Sequence, residues 1–457
     1  MSAHDGLATA LQSLLGTEYL LVGADAAMYT VDGVPPAIAV WPADEEQVAA
    51  VMCLADEHQA TIFPRGGGSH LTLGGRPERV DVLLGLQRLH AQLAYEPADM
   101  TVTMQAGLRL ADLQKSLGEQ GQFLALDPPA AATTTIGGII AANMSGPRRL
   151  MYGTARDLVL GMAVITVDGK RTKAGGRVVK NVTGYDLNKL YIGSLGTLGV
   201  VVELTCKLHP LPSGERTVMV GFSHHADMLP LLQALLQVPL RLSSLEVLNA
   251  AAGTLLAQRA GLSAIDSPYL LVVRVEGMPD VIERQTRRIA EALRALPLSG
   301  SLSVLSLPTA EQHHFWRAFE EFPIAAHAAA SQGVMSKVSL HMSDLPAFFQ
   351  TMQAAATRAD AAWPILAHAG SGIVYINISS TEDSVSGTAQ LLRYIRVLDD
   401  CVTQLKGRRV IERAPAEIKR QCDIWGAPGD DFALMRAIKA VFDPQNRLNP
   451  GRFLGGL

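Results

Sequence analysis

The chain has 457 residues, of which 48% are hydrophobic and 18% charged, and its formal net charge is −4. This length predicts two or three domains, and the composition excludes a largely disordered chain. The weakly negative charge excludes a surface built mainly for binding nucleic acid.

The cysteine pattern and the absence of long apolar runs narrow the class further. Cys53, Cys206, Cys401 and Cys422 form no Cys-x-x-Cys pair. This spacing excludes a locally encoded iron–sulfur cluster and suits a reducing compartment. No run of about 18 apolar residues occurs, and residues 1–16 lack the pattern of a signal peptide. We therefore expect a soluble, cytoplasmic protein with no membrane span.

Strand-like and helix-like segments alternate along the first third of the chain. Residues 37–41 predict an apolar strand. Asp44 then stands where a helix N-cap belongs, with Gln47 three residues later, and apolar residues follow at helical spacing over 48–55. Residues 61–63 predict a further strand, which leads directly into three consecutive glycines.

The next segments continue this pattern. Residues 80–84 and 100–105 predict strands, and the second alternates with a period of two. Leucines at helical spacing predict a helix over 110–117, and an apolar strand is predicted over 123–126.

Glycine and proline are densest in three loops, over 66–75, 137–153 and 193–199. Several glycine-rich loops in one region indicate that backbone must approach something closely. The apolar strand predicted over 199–208 closes this region, and 209–214 is typical of a linker.

The second half of the chain predicts a different arrangement. Helices and strands alternate from Glu215 to about Gly407, which favours a smaller sheet covered by helices on one face. The predicted helices are 228–237 and 281–296, and the predicted strands are 269–275, 334–340 and 373–378. A last helix is predicted over 432–441.

The run from Phe63 to His70 is the first candidate for a binding site. Consecutive glycines after a strand expose several backbone N–H groups in one concave turn, which suits phosphate oxygens. The chain lacks the Gly-x-x-x-x-Gly-Lys-Ser/Thr pattern of a P-loop, and no Gly-x-Gly-x-x-Gly opens a helix near its N-terminus. Taken alone, the run is also compatible with a surface turn.

The other loops join this run in an ordered series of motifs. Together they resemble the FAD-binding domain of vanillyl-alcohol-oxidase and p-cresol-methylhydroxylase (PCMH) type flavoproteins. Within that superfamily, the 145–149, 180–186 and 442–452 runs are similar to the smaller FAD-binding subunits of bacterial glycolate oxidases. The motifs are Asp127-Pro128, Thr133 to Gly138, Ala141 to Arg149, Tyr152-Gly153, Lys180 to Leu187, Gly193 to Glu203 and Phe442 to Arg452.

This resemblance implies an α+β fold with three parts. Residues 1–212 would form a two-lobed PCMH-type FAD-binding domain, and 213–414 a smaller α/β cap domain that holds the substrate. Residues 415–457 would form a C-terminal segment that packs back on the FAD domain.

The resemblance also implies a set of FAD-binding residues. The pyrophosphate would lie on the first glycine loop, and Val200 and Val201 would approach the adenine end. Arg148 and Arg149 could pair with phosphate or face solvent. The implied residues are Pro64, Arg65, Gly66, Gly67, Gly68, Ser69, His70, Pro128, Thr135, Ile136, Gly137, Gly138, Asn143, Ser145, Gly146, Val200, Val201 and Asn449.

Covalent flavin attachment in part of this superfamily uses a histidine of the first glycine loop. The matching position here is Ser69, and His70 comes one residue later. Because successive side chains of an extended segment point in opposite directions, we expect FAD to bind non-covalently.

The substrate motif is incomplete. Related D-2-hydroxy-acid dehydrogenases carry His-x-Gly-Asp-Gly-Asn-x-His, which supplies a metal ligand and a base. The similar run from His368 has Ser371, Ile373 and Tyr375 in place of Asp, Asn and the second His. One histidine does not make a metal site, so we expect no bound metal.

Few residues remain as candidates for substrate chemistry. His368 could be a lone base or an ordinary loop histidine before a strand. Lys337 and Arg274, both in predicted strands, are candidate partners for a substrate carboxylate, or else surface residues whose stems snorkel.

The resemblance implies a flavoprotein oxidoreductase that oxidises a small 2-hydroxy acid within a glycolate-oxidase-like complex. Its implied partners are a larger FAD-binding subunit and an iron–sulfur subunit, and the complex could lie peripherally at the inner face of the membrane. One alternative is a self-sufficient D-2-hydroxy-acid dehydrogenase. Another is a non-catalytic subunit that keeps FAD as a structural group.

Overall fold

The computed structural model of the protein describes residues 3–176, 185–263, 266–298, 300, 302–330, 332–380 and 384–457. Four β-sheets occur within these ranges, with four, five, two and eight strands. In the same ranges, no helix combines the length and apolar character needed to cross a membrane.

The first sheet contains strands from the N-terminal part of the chain. Its order is β1-β2-β4-β3, and β2 and β3 run parallel to β4. The elements are α1 (Ala3–Leu15), β1 (Leu20–Val22), β2 (Pro36–Val40), α2 (Glu45–Glu57), β3 (Ile62–Arg65) and β4 (Val80–Gly85).

The start of α2 shows why the chain forms a helix there. The Gln47 backbone N–H donates to Asp44 Oδ1 at 2.8 Å, and the Gln47 side chain accepts from the Ala43 N–H at 2.7 Å. These bonds satisfy backbone donors that the first helical turn leaves free. The predicted N-cap is confirmed.

The second sheet is antiparallel, in the order β5-β6-β10-β8-β9. Its strands are β5 (Gln92–Glu96), β6 (Thr101–Gln105), β8 (Val159–Ile165), β9 (Arg171–Gly175) and β10 (Val200–Lys207). The helices of this region are α3 (Leu110–Gly118), α4 (Ile136–Ala142), α5 (Arg149–Tyr152), α6 (Ala155–Leu158) and α7 (Asn188–Tyr191).

Two expectations in this region are corrected. Of the predicted strand 123–126, only Phe123 is in a strand, β7 (Gln122–Phe123). It pairs with β11 (His209–Pro210), so part of the predicted linker forms a two-stranded sheet. The apolar side chains of 124–126 are buried, which explains why the run looked like a strand.

The eight-stranded sheet, which we call the third sheet, is the largest of the four described, and all of its strand pairs are antiparallel. Its order is β15-β12-β14-β13-β17-β18-β16-β19. The strands are β12 (Gly214–Phe222), β13 (Leu242–Asn249), β14 (Tyr269–Gly277), β15 (Ser303–Ser306), β16 (Gly333–Ser339), β17 (Ile365–His368), β18 (Ile373–Ser379) and β19 (Arg408–Arg413).

Helices cover both faces of this sheet, so the expectation of a smaller sheet covered on one face was wrong. In β14, Leu271 and Val273 pack into one apolar cluster, whereas Leu270 and Val272 pack into another. A strand buried on both sides lacks the polar alternation that would reveal its second face. The helices are α8 (Met228–Gln237), α9 (Ala250–Ala260), α10 (Pro279–Arg294), α11 (Thr309–Glu320), α12 (Phe322–Ala328), α13 (Leu345–Arg358) and α14 (Ser384–Gln404).

The C-terminal segment contains α15 (Ala416–Gln421) and α16 (Phe432–Phe442) and then returns to the first sheet. Leu448 bridges to Ile62 in parallel, the Ile62 N–H donates to the Arg447 carbonyl at 2.8 Å, and the Asn449 N–H donates to the Ile62 carbonyl at 2.8 Å. The last residues therefore lie beside β3, next to the turn formed by residues 65–70. We call this turn the glycine turn.

Candidate cofactor and substrate site

A cavity with about 820 Å³ of unfilled space lies where β3 ends in the glycine turn. Its walls come from that turn, from α4, from the start of β10 and from the C-terminal segment. Small-molecule and cofactor sites are usually concave clefts of this kind.

The glycines of this turn allow a very close packing of backbone. A Cβ atom on Gly66 would lie 2.1 Å from Thr135 Oγ1, and one on Gly67 would lie 1.9 Å from the Thr133 carbonyl oxygen. Gly68 has φ +83°, a conformation that favours glycine. The turn and the strip before α4 therefore form one continuous wall without intervening side chains.

Most of the residues implied as FAD-binding line this cavity. They are Pro64, Arg65, Gly66, Gly67, Gly68, Ser69, His70, Thr135, Gly137, Gly138, Val200, Val201 and Asn449. Five others lie outside its wall: Pro128, Ile136, Asn143, Ser145 and Gly146.

Contacts explain where four of these five residues are used. Ile136 is buried in the apolar cluster of the second sheet, and Asn143 ends α4 with φ +49°. The Gly146 N–H donates to Asp127 Oδ1 at 3.0 Å, and Ser145 accepts from Arg149. These residues shape the loop behind the cavity wall.

Sequence reasoning missed several small and apolar residues of the wall. Gly196 and Gly199 lie in the glycine-rich loop 193–199. The density of glycine in that loop is the signal that could have identified them. The missed residues are Leu71, Leu73, Leu86, Ala106, Thr134, Ala141, Ala142, Leu195, Gly196, Gly199 and Arg452. Residues 180–184 of the motif from Lys180 to Leu187 lie outside the described residues.

The cavity wall fits an extended dinucleotide. Its surface is mostly glycine and small or apolar side chains, which leaves backbone bare for phosphate oxygens. One buried donor at the turn, Arg65 Nε, has no hydrogen-bond partner in the protein. Buried polar atoms without partners are unusual, and an anionic ligand would satisfy this one.

Ser69 and His70 hold each other in place. Ser69 Oγ lies 3.0 Å from His70 Nδ1 and 2.7 Å from Thr134 Oγ1. Burial, helped by the charges of Arg413 and Lys337, lowers the pKa of His70 to about 4. His70 is therefore neutral at neutral pH.

A polar patch on the third sheet, the cap-sheet patch, consists of Glu246, Lys337, His368, Tyr375 and Glu412. These residues lie on β13, β16, β17, β18 and β19, which are neighbours in the sheet. Lys337 and Tyr375 are register partners, as are Glu246 and His368. The pairing of five strands thus brings together residues that are far apart in sequence.

His368 is a buried residue at the end of β17 and not an ordinary loop histidine. It is 4% exposed, and its Nδ1 lies 2.7 Å from Glu246 Oε2. Burial lowers the pKa of His368 well below its ordinary value, helped by the charges of Arg149 and Lys337. Burial also raises the pKa of Glu246, so neither group favours its charged form.

Lys337 and Arg274, the two candidate partners of a substrate carboxylate, differ in whether their charge is already paired. Lys337 Nζ is 3.8 Å from Glu412 Oε1, and burial lowers the pKa of Lys337. Arg274 is 4% exposed, which corrects its interpretation as a surface residue. Its guanidinium already pairs with Glu215 and with Glu276, so it is not free for a substrate carboxylate.

Two arginines of the FAD domain reach the cap, and neither faces solvent freely. Arg148 Nη2 lies 2.8 Å from Glu276 Oε1, across the two domains. Arg149 donates to Ser145 and Gly146 and lowers the pKa of both His368 and Lys337 through its charge. Arg149 therefore belongs beside the cap-sheet patch, which sequence reasoning did not predict.

Glu320, at the end of α11, gives the protein a pH-dependent stability. Burial raises its pKa to about 8 from 4.5; the Asp127 charge adds to this, while Arg148 and Arg274 oppose it. Between these two pH values the unfolded state has released the proton that the folded state keeps, so the free energy of unfolding falls as pH rises. We expect Glu320→Gln to raise the melting temperature at pH 9 and to leave it unchanged at pH 5.

Glu283→Gln provides the control, because Glu283 is exposed on α10. It should change the melting temperature at neither pH. Equal melting temperatures for the native protein and Glu320→Gln at pH 9 would contradict the prediction.

No group of three or more His, Cys, Asp or Glu side chains within the described ranges is arranged to hold a metal ion. The expectation of a cap without a metal stays a prediction, which elemental analysis of the purified protein can check.

Comparison with known proteins assigns both halves of the chain. The family described as FAD binding domain matches residues 36–175, and the family of FAD linked oxidases, C-terminal domain, matches residues 211–453. D-2-hydroxyglutarate dehydrogenase of Xanthomonas citri is 31% identical over 432 residues, covering 92% of this chain and 89% of that protein. Glycolate oxidase subunit GlcD of Bacillus subtilis is 24% identical, with 93% and 91% covered.

Solved structures show the same fold. p-Cresol methylhydroxylase with substrate bound superposes with a TM-score of 0.79 at 17% identity, covering 99% of this chain and 97% of that one. Alkyldihydroxyacetonephosphate synthase superposes with a TM-score of 0.73 at 18% identity, with 98% and 86% covered. These matches confirm the predicted α+β fold with a PCMH-type FAD-binding domain.

Proposed function

Because the chain belongs to the FAD-linked oxidase family, we propose that it oxidises a small 2-hydroxy acid to the 2-oxo acid. One observation carries the proposal: a narrow gap joins the Glu412 end of the cap-sheet patch to the cofactor cavity. This gap is lined by His70 and Leu73 from the FAD domain and by Met335, Glu412 and Arg413 from the cap. A substrate bound where the gap meets the cofactor cavity would lie between the cofactor and the patch.

The contact between the domains is direct. Arg413 Nη2 donates to the carbonyl of Ser69 at 2.6 Å, which joins β19 to the glycine turn. His70 lines both this gap and the cofactor cavity. The cofactor site and the patch are therefore parts of one site.

The proposed cofactor residues are those implied by the resemblance that line the cavity, with Arg65 as a donor toward the phosphates. A bound FAD would supply the acceptor for the hydride of the substrate carbon. The protein has to hold the carboxylate, take the hydroxyl proton and exclude water. The first two of these tasks have candidate side chains near the patch.

His368 is the proposed base. Its low pKa keeps the imidazole neutral at neutral pH, as a base must be before it accepts a proton. In this role its Nδ1–H donates to Glu246 and leaves the Nε2 lone pair for the substrate hydroxyl. Glu246 orients the ring through this hydrogen bond.

Lys337 and Arg149 are the proposed partners of the substrate carboxylate. Both lie close enough to His368 to lower its pKa through their charges. A carboxylate bound between them would weaken that effect and raise the basicity of His368. Binding would thus prepare the base for the proton that it takes.

We expect FAD to be non-covalent. Ser69, at the position where a covalent flavin would need histidine, already binds His70 and Thr134 through its hydroxyl. Acid precipitation of the purified protein should release all of its flavin into the supernatant. Flavin fluorescence that stays with the unfolded polypeptide in a gel would contradict this expectation.

The proposed setting is a complex with a larger FAD-binding subunit and an iron–sulfur subunit. Glycolate oxidase subunit GlcD is a subunit by its own name, which supports an assembly of this kind. The four cysteines are unpaired, and the chain has no cluster motif, so electrons would leave through a partner. Unpaired cysteines also favour a cytoplasmic location, or a peripheral one at the inner face of the membrane.

The second candidate is a self-sufficient dehydrogenase. D-2-hydroxyglutarate dehydrogenase of Xanthomonas citri and D-lactate dehydrogenase of Archaeoglobus fulgidus, relatives covering more than 90% of this chain, favour it. Anaerobic bleaching of the flavin distinguishes the two candidate functions. It is measured with glycolate, D-lactate and D-2-hydroxyglutarate, with and without the partner proteins. Bleaching only in the complex supports the proposed subunit, and bleaching of the isolated chain supports the dehydrogenase. A flavin that no 2-hydroxy acid bleaches in either form would refute both.

A further inference from the structure

The loop that follows the glycine turn has an unusual backbone arrangement. The carbonyls of residues 71–75 all accept hydrogen bonds from only two side chains, Arg452 and Lys419. Arg452 donates to the carbonyls of Leu71, Leu73 and Gly75, and Lys419 donates to those of Thr72 and Gly74.

One carboxylate joins the two cations. Lys419 Nζ lies 2.8 Å from Asp32 Oδ1, and Arg452 Nη1 pairs with Asp32 Oδ2. The side chains of Lys419, Arg452 and Asp32 are 0%, 3% and 5% exposed. We call these three residues the carbonyl clamp.

The clamp touches the cofactor cavity at one side. Leu71, Leu73 and Arg452 line the cavity, and residue 71 follows the glycine turn directly. The Leu71 N–H donates to the Gly68 carbonyl and the Leu73 N–H to the His70 carbonyl, so loop and turn share hydrogen bonds. A change in the loop is therefore passed to the turn.

The cost of burying its charges indicates that the clamp positions residues 71–75 more than it stabilises the folded protein. Burying two cations with a single carboxylate costs solvation that the ion pairs recover only in part. Burial indeed lowers the pKa of Lys419 to about 8, although Asp32 acts against this. Without the cations, these five carbonyls would be left with unsatisfied oxygens.

We propose that Lys419 and Arg452 are positioning residues for the cofactor, which hold residues 71–75 and the preceding glycine turn in the shape that binds the FAD phosphates. Lys419 does so without lining the cofactor cavity itself. The inference rests on the FAD site proposed above and extends it to α15, an element that comes about 350 residues after the turn in the sequence.

The test measures the dissociation constant of FAD, by flavin fluorescence quenching, for the native protein and for Lys419→Ala. We expect Lys419→Ala to raise the FAD dissociation constant on the order of tenfold. This factor corresponds to the loss of a hydrogen bond that involves a charged group. n-Propylammonium chloride should restore affinity, because its ammonium group can enter the emptied clamp. Tetramethylammonium chloride at the same ionic strength should not, because it has no N–H donor.

Arg447→Ala is the matched control. Arg447 is a buried cation of the same C-terminal segment and also donates to backbone carbonyls, those of Ala55 and Asp56 at the end of α2. Those carbonyls lie away from the cavity. The control should lower the melting temperature and leave the FAD dissociation constant within threefold of the native value.

The outcomes separate the inference from the proposed function. Native FAD affinity in Lys419→Ala, or an equal loss in Arg447→Ala, overturns the clamp. A native protein that binds no FAD at all refutes the cofactor site itself. If Lys419→Ala does not fold, Lys419→Met fills the same space without an N–H donor, and native affinity in that variant overturns the inference.

Discussion

Replacing Gly67 with alanine will remove FAD binding. The new Cβ would lie 1.9 Å from the Thr133 carbonyl oxygen and 2.9 Å from its carbon, and both are backbone atoms that cannot rotate away. The glycine turn must therefore move away from the wall opposite to it, and the phosphate-binding N–H groups move with it. We expect purified Gly67→Ala to lack the flavin absorption band and its FAD dissociation constant to rise at least about 100-fold, as for a lost set of charged hydrogen bonds.

Gly253→Ala is the matched control for this variant. Gly253 lies inside α9, and a Cβ atom there would meet nothing within 4 Å. Alanine should stabilise the helix by up to about 1 kcal/mol and leave the flavin band intact. A Gly67→Ala protein with native flavin content would show that the turn does not hold the cofactor.

His368→Gln will slow flavin reduction without releasing FAD. Glutamine keeps a polar group near Glu246 but cannot take up the substrate proton. Loss of a general base typically costs about 10² to 10⁴ in rate. Stopped-flow reduction of the flavin by glycolate or D-lactate, with the partner proteins present, measures this step directly.

The same variant should change the pH dependence of the rate. In the native protein, reduction should fall as acid protonates the His368–Glu246 pair, and His368→Gln should lose that limb. His314→Gln is the control, because His314 is exposed on α11. Native reduction rates in His368→Gln would reject His368 as the base.

The amino-acid sequence alone predicted most of the wall of the cavity that is proposed to hold the cofactor. The turn 65–70 and the start of α4 are continuous runs whose glycines are required locally by close backbone packing. Such requirements leave a pattern within a few neighbouring residues, and that pattern is visible in one sequence. Asp44 at the start of α2 was predictable for the same reason.

The substrate half was decided by tertiary structure. Glu246 and His368 are 122 residues apart in the chain, and strand pairing brings them to 2.7 Å. Arg149 and Lys419 also act across long separations, and nothing in their local sequence distinguishes them from solvated surface cations. Register between strands, burial and the pKa shifts that burial causes depend on the complete fold, so no local pattern could reveal them.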